Sequence, residues 1–453
     1  MVELHERSNR AGAARSSESL YRKLSPGPGR SAAEVAAHQR ERIHGAMLEI
    51  AAEQGYGAVT VRALTQLAGV STHTFYEHFD GKERCFLSTC ELVVRRAARR
   101  VFAAQKRGRQ WDEQVWLTFS AMTREVACES KGARLALVDA FEVGPAGIER
   151  VRRAGALLEV MAAQGFDSAP DGVAVPPLIV KGIVAGLARV ACARLLAGRE
   201  SELPALTPEL MDWALCFRSE SASALGPPDP QPATQPSGAG VGADGEAGGP
   251  NRQGLEDERA LILTATTRLA ADEGYQQLSV LGIRTAAGVS RKSVDRHFED
   301  VTDCFLAALE LLIRRAVAYA VRQGATADSW PAGLHRALVA FCRYIARDPA
   351  FARLGFVEVF APGTPGVEFR RRLIAAVADR LRRSAPARQR PSELAAEASV
   401  GAALGILHHY IVTGRAGRLP RAAPTLSFML LAPAIGAPAA AAAIRAEREW
   451  TPA

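Results

Sequence analysis

A long internal repeat limits what this chain can fold into more than any other feature. Residues 40–86 align without a gap with residues 259–305 at an offset of 219, and 16 of the 47 aligned positions are identical. The same offset aligns residues 133–153 with 352–372, where ten of 21 positions are identical. The sequence therefore predicts two copies of one domain of about 200 residues, and the function must be read from the pair.

The composition is that of a chain with two or three globular domains. The 453 residues include 56 basic and 48 acidic side chains, and the formal charge of +8 favours an anionic partner without requiring one. The seven cysteines form no Cys-x-x-Cys pair, and Cys85 and Cys304 occupy equivalent positions in apolar helical runs. We therefore expect buried structural thiols and a cytoplasmic protein in a reducing compartment.

Three segments differ in character from the repeated domains. Residues 1–38 mix charged and small residues without the apolar core of a signal peptide, and we expect a disordered tail. In residues 221–252, Gly, Pro, Ala and Ser fill 22 of 32 positions, which predicts a flexible linker spanning roughly 30 Å. Residues 422–444 carry no charge but contain three prolines, so we expect a buried terminal helix and not a membrane span.

The repeated segment has the periodicity of an amphipathic helix. The apolar stripe of the first copy consists of Ile43, Ala46, Met47, Ile50 and Ala51, and that of the second of Ile262, Ala265, Thr266, Leu269 and Ala270. Gly55 and Gly274 are expected to end these helices. Stretches such as 178–196 and 394–412 also favour helices, and no alternating strand pattern stands out. The predicted fold class is all-α, with two helical modules.

A helix-turn-helix follows the first helix of the first copy. Thr60 can cap a short helix over 61–68, and Ser71 can cap a second helix over 72–78. Gly69 lies between them, where a sharp reversal of the chain favours glycine. Asp80 and Glu83 suggest a capped start for the next helix. A unit of this kind presents its second helix to the major groove of DNA.

The segment GVSTHTFYEHFDGKERCF resembles the tetracycline-repressor (TetR) family of transcription regulators. The family pattern is Gly-Val-Ser, three residues, an aromatic residue, Tyr, any residue, His-Phe and, two residues later, Lys-Glu. The resemblance is specific over about 47 residues of each copy. It implies that three N-terminal helices bind DNA, while a larger helical part binds a small molecule and forms a four-helix dimer interface. A homodimer normally binds DNA, with one helix-turn-helix on each operator half-site.

The repeat and the resemblance together predict six segments. They are a disordered tail 1–38, a DNA-binding domain 39–99, a regulatory domain 100–220, the linker 221–252, a partly degenerate DNA-binding domain 253–318 and a second regulatory domain 319–453.

The resemblance implies DNA contacts for the first copy. Thr60, Tyr76 and Lys82 match positions that contact phosphates, which set register and carry no sequence information. Thr72, His73 and Thr74 match positions on or near the base edges. Ser71 and His78 complete this candidate set. Plain packing stays open as the alternative for Tyr76 and His78.

The second copy departs from the pattern at two of these positions. Asp295 replaces the tyrosine and Val301 replaces the lysine, so two phosphate contacts are lost. The recognition helix is nevertheless more basic than that of the first copy, which leaves two interpretations open: a reader of a different half-site, or a duplicate that has kept only its fold. The candidate DNA-binding residues of this copy are Ser279, Ser290, Arg291, Lys292, Ser293, Arg296 and His297.

The regulatory parts suggest an apolar effector pocket, for which ordinary core packing is the alternative. The candidate lining residues are Trp111, Trp116, Phe119, Phe141, Tyr344, Phe360 and His408. Small residues that permit close helix approach are Gly182, Ala185, Gly186, Gly401, Ala402 and Gly405. Catalytic motifs and His/Cys clusters at metal-ligand spacing are absent from the sequence, so we expect neither an enzyme nor a cofactor or metal.

These features predict a bacterial DNA-binding transcription regulator, and specifically a ligand-responsive repressor. The two modules would act as an intrachain pseudo-dimer on a palindromic or imperfectly palindromic double-stranded operator, and further dimerisation stays open. The alternative is a ligand- or protein-binding module whose second helix-turn-helix no longer contacts DNA.

Overall fold

The computed structural model describes residues 31–223, 250–447 and 450, and every regular element within them is helical, which confirms the all-α class. The first copy contains α1 Ala32–Gln54, α2 Val61–Ala68, α3 Thr72–His78, α4 Lys82–Gln105, α5 Trp111–Cys128, α6 Ser130–Leu137, α7 Pro145–Asp167, α8 Pro177–Leu196, α9 Thr207–Leu215 and α10 Glu220–Ser223. The second contains α11 Pro250–Glu273, α12 Val280–Ala287, α13 Arg291–His297, α14 Val301–Gly324, α15 Trp330–Arg347, α16 Pro349–Phe356, α17 Thr364–Ser384, α18 Glu393–Val412, α19 Leu419–Ile435 and α20 Ala437–Ala446. No helix in these ranges is long and apolar enough to cross a membrane.

The described residues fall into two compact units that do not follow the two copies. Of the described residues, one unit contains 31–158 and 191–211, and the other contains 159–190, 212–223, 250–447 and 450. The second unit therefore combines all of the second copy with helices from the regulatory part of the first. The boundary expected at residue 220 does not separate two self-contained domains.

The apolar stripe of α1 is buried as predicted. Ile43, Ala46, Met47 and Ala51 have no exposed surface, and they pack on α2, α3 and α4 around Phe75. The helix ends before Gly55, whose φ of 78° lies in the region that glycine adopts without strain. The first core is therefore a small helical cluster that holds the helix-turn-helix in place.

Two segments expected to be irregular are partly helical. The Ser31 hydroxyl accepts a hydrogen bond from the Glu34 amide, and the Glu34 carboxylate accepts one from the Ser31 amide at 2.8 Å. This reciprocal cap starts α1 at Ala32, inside the tail predicted over 1–38, of which residues 1–30 lie outside the described part. Likewise α10 and α11 extend into the linker predicted over 221–252, whose residues 224–249 are outside that part.

Two other expectations are corrected by the helix ends, while the domain boundaries after residues 99 and 318 stay predictions. Both boundaries lie inside continuous helices, α4 and α14. The cap expected from Asp80 and Glu83 is not formed, because α4 begins after Gly81 without a side-chain hydrogen bond. The terminal apolar stretch forms two largely buried helices, α19 and α20, because the chain turns at Gly436 with a φ of 82°.

Within the second compact unit, residues 177–190 of α8 and 212–215 of α9 from the first copy pack against α18 and α19 of the second. The Trp213 indole donates a hydrogen bond to the Ser399 hydroxyl at 3.0 Å, and the rings of Phe217 and Phe428 lie 6.1 Å apart. A Cβ atom on Gly182 would lie 2.9 Å from Met429. The close helix approach predicted from small residues is therefore confirmed, and we call this contact between the two copies the seam.

Candidate functional site

The first helix-turn-helix is built from local caps. The Thr60 hydroxyl accepts from the Ala63 amide at 3.1 Å, and the Ser71 hydroxyl accepts from the Thr74 amide at 3.0 Å. Gly69 adopts the left-handed conformation, with φ 60° and ψ 40°. The predicted bounds of α2 and α3 are confirmed, because each cap satisfies an amide that the helix leaves unpaired.

A buried arginine holds the turn of this unit. The guanidinium of Arg42 on α1 donates to the carbonyl of Gly69 at 2.8 Å, and its side chain is only 9% exposed. The equivalent residue of the second copy is Leu261, which is 51% exposed. The first turn is therefore tied to α1 by a bond that the second turn lacks.

The outer face of α3 carries the predicted base-facing residues. Thr72 and His73 are exposed, and the His73 ring lies 3.4 Å from the Glu77 carboxylate one turn later. Tyr76 is 55% exposed, so its hydroxyl is not committed to the core. Thr74 is half-buried beside the Ser71 hydroxyl, at 3.0 Å. The face open to a ligand is thus formed by Thr72, His73 and Tyr76.

The expected phosphate-binding residues Lys82 and Thr60 lie close together. The Lys82 ammonium donates to the Val59 carbonyl at 3.0 Å, next to Thr60 at the start of α2. The same ammonium lies 4.8 Å from the centre of the Tyr56 ring. An ammonium has three donors, so Lys82 can hold this loop and still offer hydrogen atoms to a phosphate.

His78 has a packing role in this structure. The ring is half-buried, its Nε2 lies 3.3 Å from the Gln39 side-chain oxygen, and its ring centre is 6.4 Å from that of Phe79. Burial, and then the positive charge of Arg40, lower the pKa of His78 below its usual value. The alternative of plain packing is therefore the better supported interpretation for this residue.

The second helix-turn-helix has the same architecture. Ser279 and Ser290 cap α12 and α13 at 3.1 Å, and Gly288 is left-handed with φ 66°. On α13, the side chains of Arg291, Lys292 and Arg296 are exposed. This recognition helix therefore presents more positive charge than α3.

Ser293 differs from the other predicted DNA-binding residues of α13 in that its side chain is buried. Its side chain is 6% exposed and its hydroxyl lies 3.0 Å from that of Ser290. Ser293 precedes the buried Val294 on the inner face of α13, so its hydroxyl cannot reach DNA without a movement of the helix.

The two departures in the second copy have different local consequences. Arg291 and Asp295 form an exposed ion pair at 3.6 Å, one turn apart on α13. Val301, where the first copy has Lys82, packs on the second helical core instead. Asp300 caps α14 by accepting from the Asp303 amide at 2.8 Å. The charge at position 295 is thus partly neutralised, while the cation at position 301 has no replacement.

A carboxylate on α11 faces the end of the second recognition helix. Glu258 lies 3.6 Å from the Arg296 guanidinium and 3.8 Å from Nε2 of His297. Glu258 is the equivalent of Gln39, which contacts His78 in the first copy. In the second copy a charged carboxylate therefore takes the place of that neutral amide. Sequence reasoning missed Gln39, Glu258 and Arg42, since the gapless alignment begins at residue 40 and Arg42 has no matching partner.

A cavity of about 640 Å³ lies in the second regulatory part, between α14, α15, α16, α17 and α18. The wall is mostly apolar and includes Leu334, Phe341, Phe351, Phe356, Leu404 and Leu407. Its polar groups include Arg370, Arg380, Asp328 and Ser329, together with the Trp330–Ser384 hydrogen bond of 3.1 Å. A partly open, largely apolar space with a few polar groups is suited to a small, largely apolar molecule.

The predicted lining residues of this copy lie behind the cavity wall. His408 donates through Nδ1 to the Phe356 carbonyl at 3.1 Å, and burial, then Arg370, lower the pKa of His408 to about 3. The Phe360 ring lies 6.5 Å from that of His408, and Tyr344 packs edge-on against Phe351. None of Tyr344, Phe360 and His408 lines this cavity, because each supports a wall residue from outside.

The predicted lining residues of the first copy have mixed positions. Phe119 is buried, Trp111 and Phe141 are half-buried, and Trp116 is 42% exposed on α5 and is therefore not enclosed. The equivalents of Trp111 and Phe119 in the second copy, Trp330 and Leu338, do line the cavity. Within residues 31–223, 250–447 and 450, no three side chains of metal-binding type are grouped as in a metal site.

Comparison with known proteins identifies both helix-turn-helix units. Residues 44–89 and 262–308 match the family described as bacterial regulatory proteins, tetR family. No curated protein matches the chain. Similar solved structures include the fatty acid degradation regulator FadR from Bacillus halodurans, at 17% identity and a TM-score of 0.35, over 42% of this chain and 97% of that one.

Two further solved structures are similar to part of the chain. The transcriptional regulator FadR from Bacillus subtilis, solved in complex with stearoyl-CoA, is 19% identical with a TM-score of 0.34, over 38% of this chain and 96% of that one. A TetR family transcription regulator from Marinobacter aquaeolei VT8 is 22% identical with a TM-score of 0.28, over 38% of this chain and 97% of that one.

Proposed function

We propose that this chain, which carries two amino-terminal domains of the tetR family of bacterial regulatory proteins, is a cytoplasmic ligand-responsive repressor that binds its operator as an intrachain pseudo-dimer. DNA binding and transcription regulation follow from the family of the two domains. The sign of regulation, the pairing and the operator symmetry are the proposed part.

The observation that carries the proposal is the pair of exposed recognition helices on capped, well-packed units. The first presents Thr72, His73 and Tyr76, and the second presents Arg291 and Lys292. Threonine and histidine can hydrogen-bond base edges, while arginine and lysine can bind guanine or phosphate. Because the exposed residues differ, we propose an imperfect palindrome whose two half-sites are read by different side chains.

The packing of α8 and α9 on α18 and α19 supports pairing within one chain. A dimer interface of this family type would then be filled by the chain's own second copy. Fusion makes the encounter with the second half-site intramolecular, which raises avidity without new contacts. Half-site centres roughly 34–36 Å apart are expected if both recognition helices enter successive major grooves on one face of the duplex.

The cavity in the second regulatory part supports control by a small, largely apolar effector. Such a ligand releases the protein from DNA only if it binds the DNA-free arrangement more tightly. Phe356 lines the cavity, and a short helical turn that contains Glu358 follows it. The Glu358 carboxylate accepts a hydrogen bond from the Tyr275 amide at 3.1 Å. Tyr275 lies two residues after the end of α11, so this hydrogen bond offers a direct route from the cavity wall to the second DNA-binding unit.

A second candidate function is favoured by Asp295 and Val301. These residues remove a phosphate-facing hydroxyl and a cation, so the second unit would serve as a structural or partner-binding module. The first unit would then bind DNA alone, with a footprint of one half-site.

The test begins with selection of bound sequences from random DNA, followed by nuclease footprinting of the full chain. Two protected half-sites on one face of the duplex support the proposal, and one half-site supports the alternative. The variant Arg291→Ala with Lys292→Ala should lose one half of the footprint. Arg314→Ala, which removes an exposed arginine paired with Glu310 on α14, is the matched control and should leave the footprint unchanged.

A further inference from the structure

We propose that the seam selects unlike copies: α8 and α9 of the first copy accept α18 and α19 of the second and reject another first copy. This inference deepens the proposed intrachain pairing and rests on it. It concerns which surfaces can pair, and it is tested without DNA.

The seam contains contacts that exchange under a two-fold rotation. Helices α8 and α18 both have 20 residues and start at Pro177 and Glu393, so equivalent positions differ by 216. By this offset Ala185 is equivalent to Gly401, and Arg189 to Gly405. In the structure Ala185 lies against Gly405, and Arg189 lies against Gly401. The two contacts are therefore a symmetric pair, as expected of an isologous interface.

The shapes at these contacts exclude a pair of first copies. A Cβ atom on Gly405 would collide with the Cβ of Ala185, and one on Gly401 would lie 2.5 Å from that of Arg189. In a pair of first copies, Arg189 would occupy the place of Gly405 and Ala185 that of Gly401. A long side chain would thus be required where even a methyl group does not fit.

The charges at the seam also disfavour a pair of first copies. The Arg189 guanidinium lies 3.7 Å from the Glu397 carboxylate, and both side chains are mostly buried, at 12% and 13% exposure. The first-copy equivalent of Glu397 is Lys181, so two first copies would bring Arg189 against a second cation. Two second copies would face Glu397 with Gly405 and leave the carboxylate without this arginine. Like-charge or uncompensated groups in a buried interface are costly, which is how specificity against a wrong partner arises.

The hydrogen bond of Trp213 also depends on the second copy. Its acceptor Ser399 is equivalent to Ile183, which has no polar side-chain atom. A pair of first copies would leave the buried indole N–H without this acceptor, and an unsatisfied buried donor costs its full desolvation energy. Shape, charge and hydrogen bonding thus agree at three separate positions.

The test is charge reversal across the seam in the full chain, read by thermal unfolding. Arg189→Glu places two carboxylates together and should lower the melting temperature by about 5 °C, as should Glu397→Arg. The double variant restores an opposite pair and should regain at least half of the loss. Arg199→Glu, which reverses one side of the exposed Arg199–Glu202 pair, is the control and should shift the melting temperature by about 1 °C or less.

The following results would overturn the proposal. If first copies pair with each other, Arg189→Glu would face Lys181 and raise the melting temperature, which would overturn the proposal. A double variant no more stable than either single variant would overturn it as well. Co-purification of differently tagged chains complements this measurement. A complex of the two tags that Arg189→Glu abolishes would depend on the seam and would contradict pairing of unlike copies within a chain, whereas the absence of a complex, or one that Arg189→Glu leaves intact, supports it.

Discussion

Nε1 of Trp213 donates a 3.0 Å hydrogen bond to Oγ of Ser399, a residue 186 positions later in the chain. Both side chains are nearly fully buried, at 3% and 1% exposure. The edge of the same indole lies against Gly186, where a Cβ would not fit, so ring and glycine are matched in shape. One aromatic residue of the first copy is thereby oriented by a hydroxyl of the second.

Removal of that hydroxyl should destabilise the second compact unit. Ser399→Ala leaves the indole N–H unsatisfied and should lower the free energy of unfolding by about 1–3 kcal/mol. Urea denaturation followed by tryptophan fluorescence measures the loss. Ser384→Ala removes the acceptor of the half-buried Trp330 indole and is the matched control, since Ser384 is exposed and water can replace that bond. Equal effects of the two variants would contradict a special role for the seam.

Close packing at Gly405 predicts a pair of compensating variants. Gly405→Ala forces a methyl group against Ala185 and should lower the free energy of unfolding by about 1–3 kcal/mol. Adding Ala185→Gly makes room for that methyl group and should recover much of the loss. Gly417→Ala is the control, because a Cβ there meets no atom within 4 Å. If Gly405→Ala is as mild as the control, the helices do not approach as closely as described.

A buried histidine in the first core predicts a loss of stability in mild acid. The Thr89 hydroxyl donates to the Cys85 carbonyl and therefore accepts from Nδ1–H of His44, at 2.8 Å. Burial, followed by nearby Arg40, lowers the pKa of His44 to about 4. The unfolded histidine takes up its proton near pH 6.5, so stability falls as the pH drops from about 6.5 to 4 and is unaffected by this group above that range.

The second copy supplies the control for this pH dependence. The equivalents of His44 and Thr89 are Leu263 and Ala308, both buried. His44→Leu with Thr89→Ala should therefore fold and remove about 3 kcal/mol of acid sensitivity between pH 6.5 and 4. Denaturant titrations at several pH values compare the variant with the wild type. Parallel stability curves would show that His44 is not the group responsible.

The two recognition helices should respond differently to mutation. Tyr76→Phe should weaken binding to all DNA sequences alike, and Lys82→Ala should reduce the slope of log affinity against log salt by about 1, because both remove phosphate contacts. Arg291→Ala should change the preferred half-site by roughly 1–3 kcal/mol if it binds guanine. Anisotropy titrations on half-site variants at several salt concentrations distinguish the two. No change on loss of Arg291 and Lys292 together would remove the second copy from DNA recognition.

Blocking the cavity should abolish effector binding without unfolding the chain. Val377 lines the cavity and is 36% exposed, so Val377→Trp can fill the opening with little strain on the core. The apolar dye N-phenyl-1-naphthylamine should gain fluorescence with the wild type and lose most of that gain with the variant. Val160→Trp, at a side chain 55% exposed on α7, is the control. Undiminished dye binding by Val377→Trp would place the binding site elsewhere.

Local sequence determined the helix-turn-helix units and the helix bounds around them. Thr60, Ser71 and Gly69 act within three or four residues of their own positions, so caps and turns can be read without the rest of the chain. The repeat then predicted the same unit in the second copy. The bounds of a short helix do not determine which face is buried: Ser293 is buried because of what α13 packs against.

Tertiary structure decided the cavity and the seam. Phe356 lines the cavity while Phe360, one turn further on, stands behind it, and no periodicity separates the two. The small residues at 185, 186, 401 and 405 predicted close approach, but only the packed structure shows that Ala185 meets Gly405 and that Trp213 reaches Ser399. Caps depend on neighbours in sequence, whereas these contacts join residues about two hundred positions apart, and their geometry is set by the packing of several helices at once.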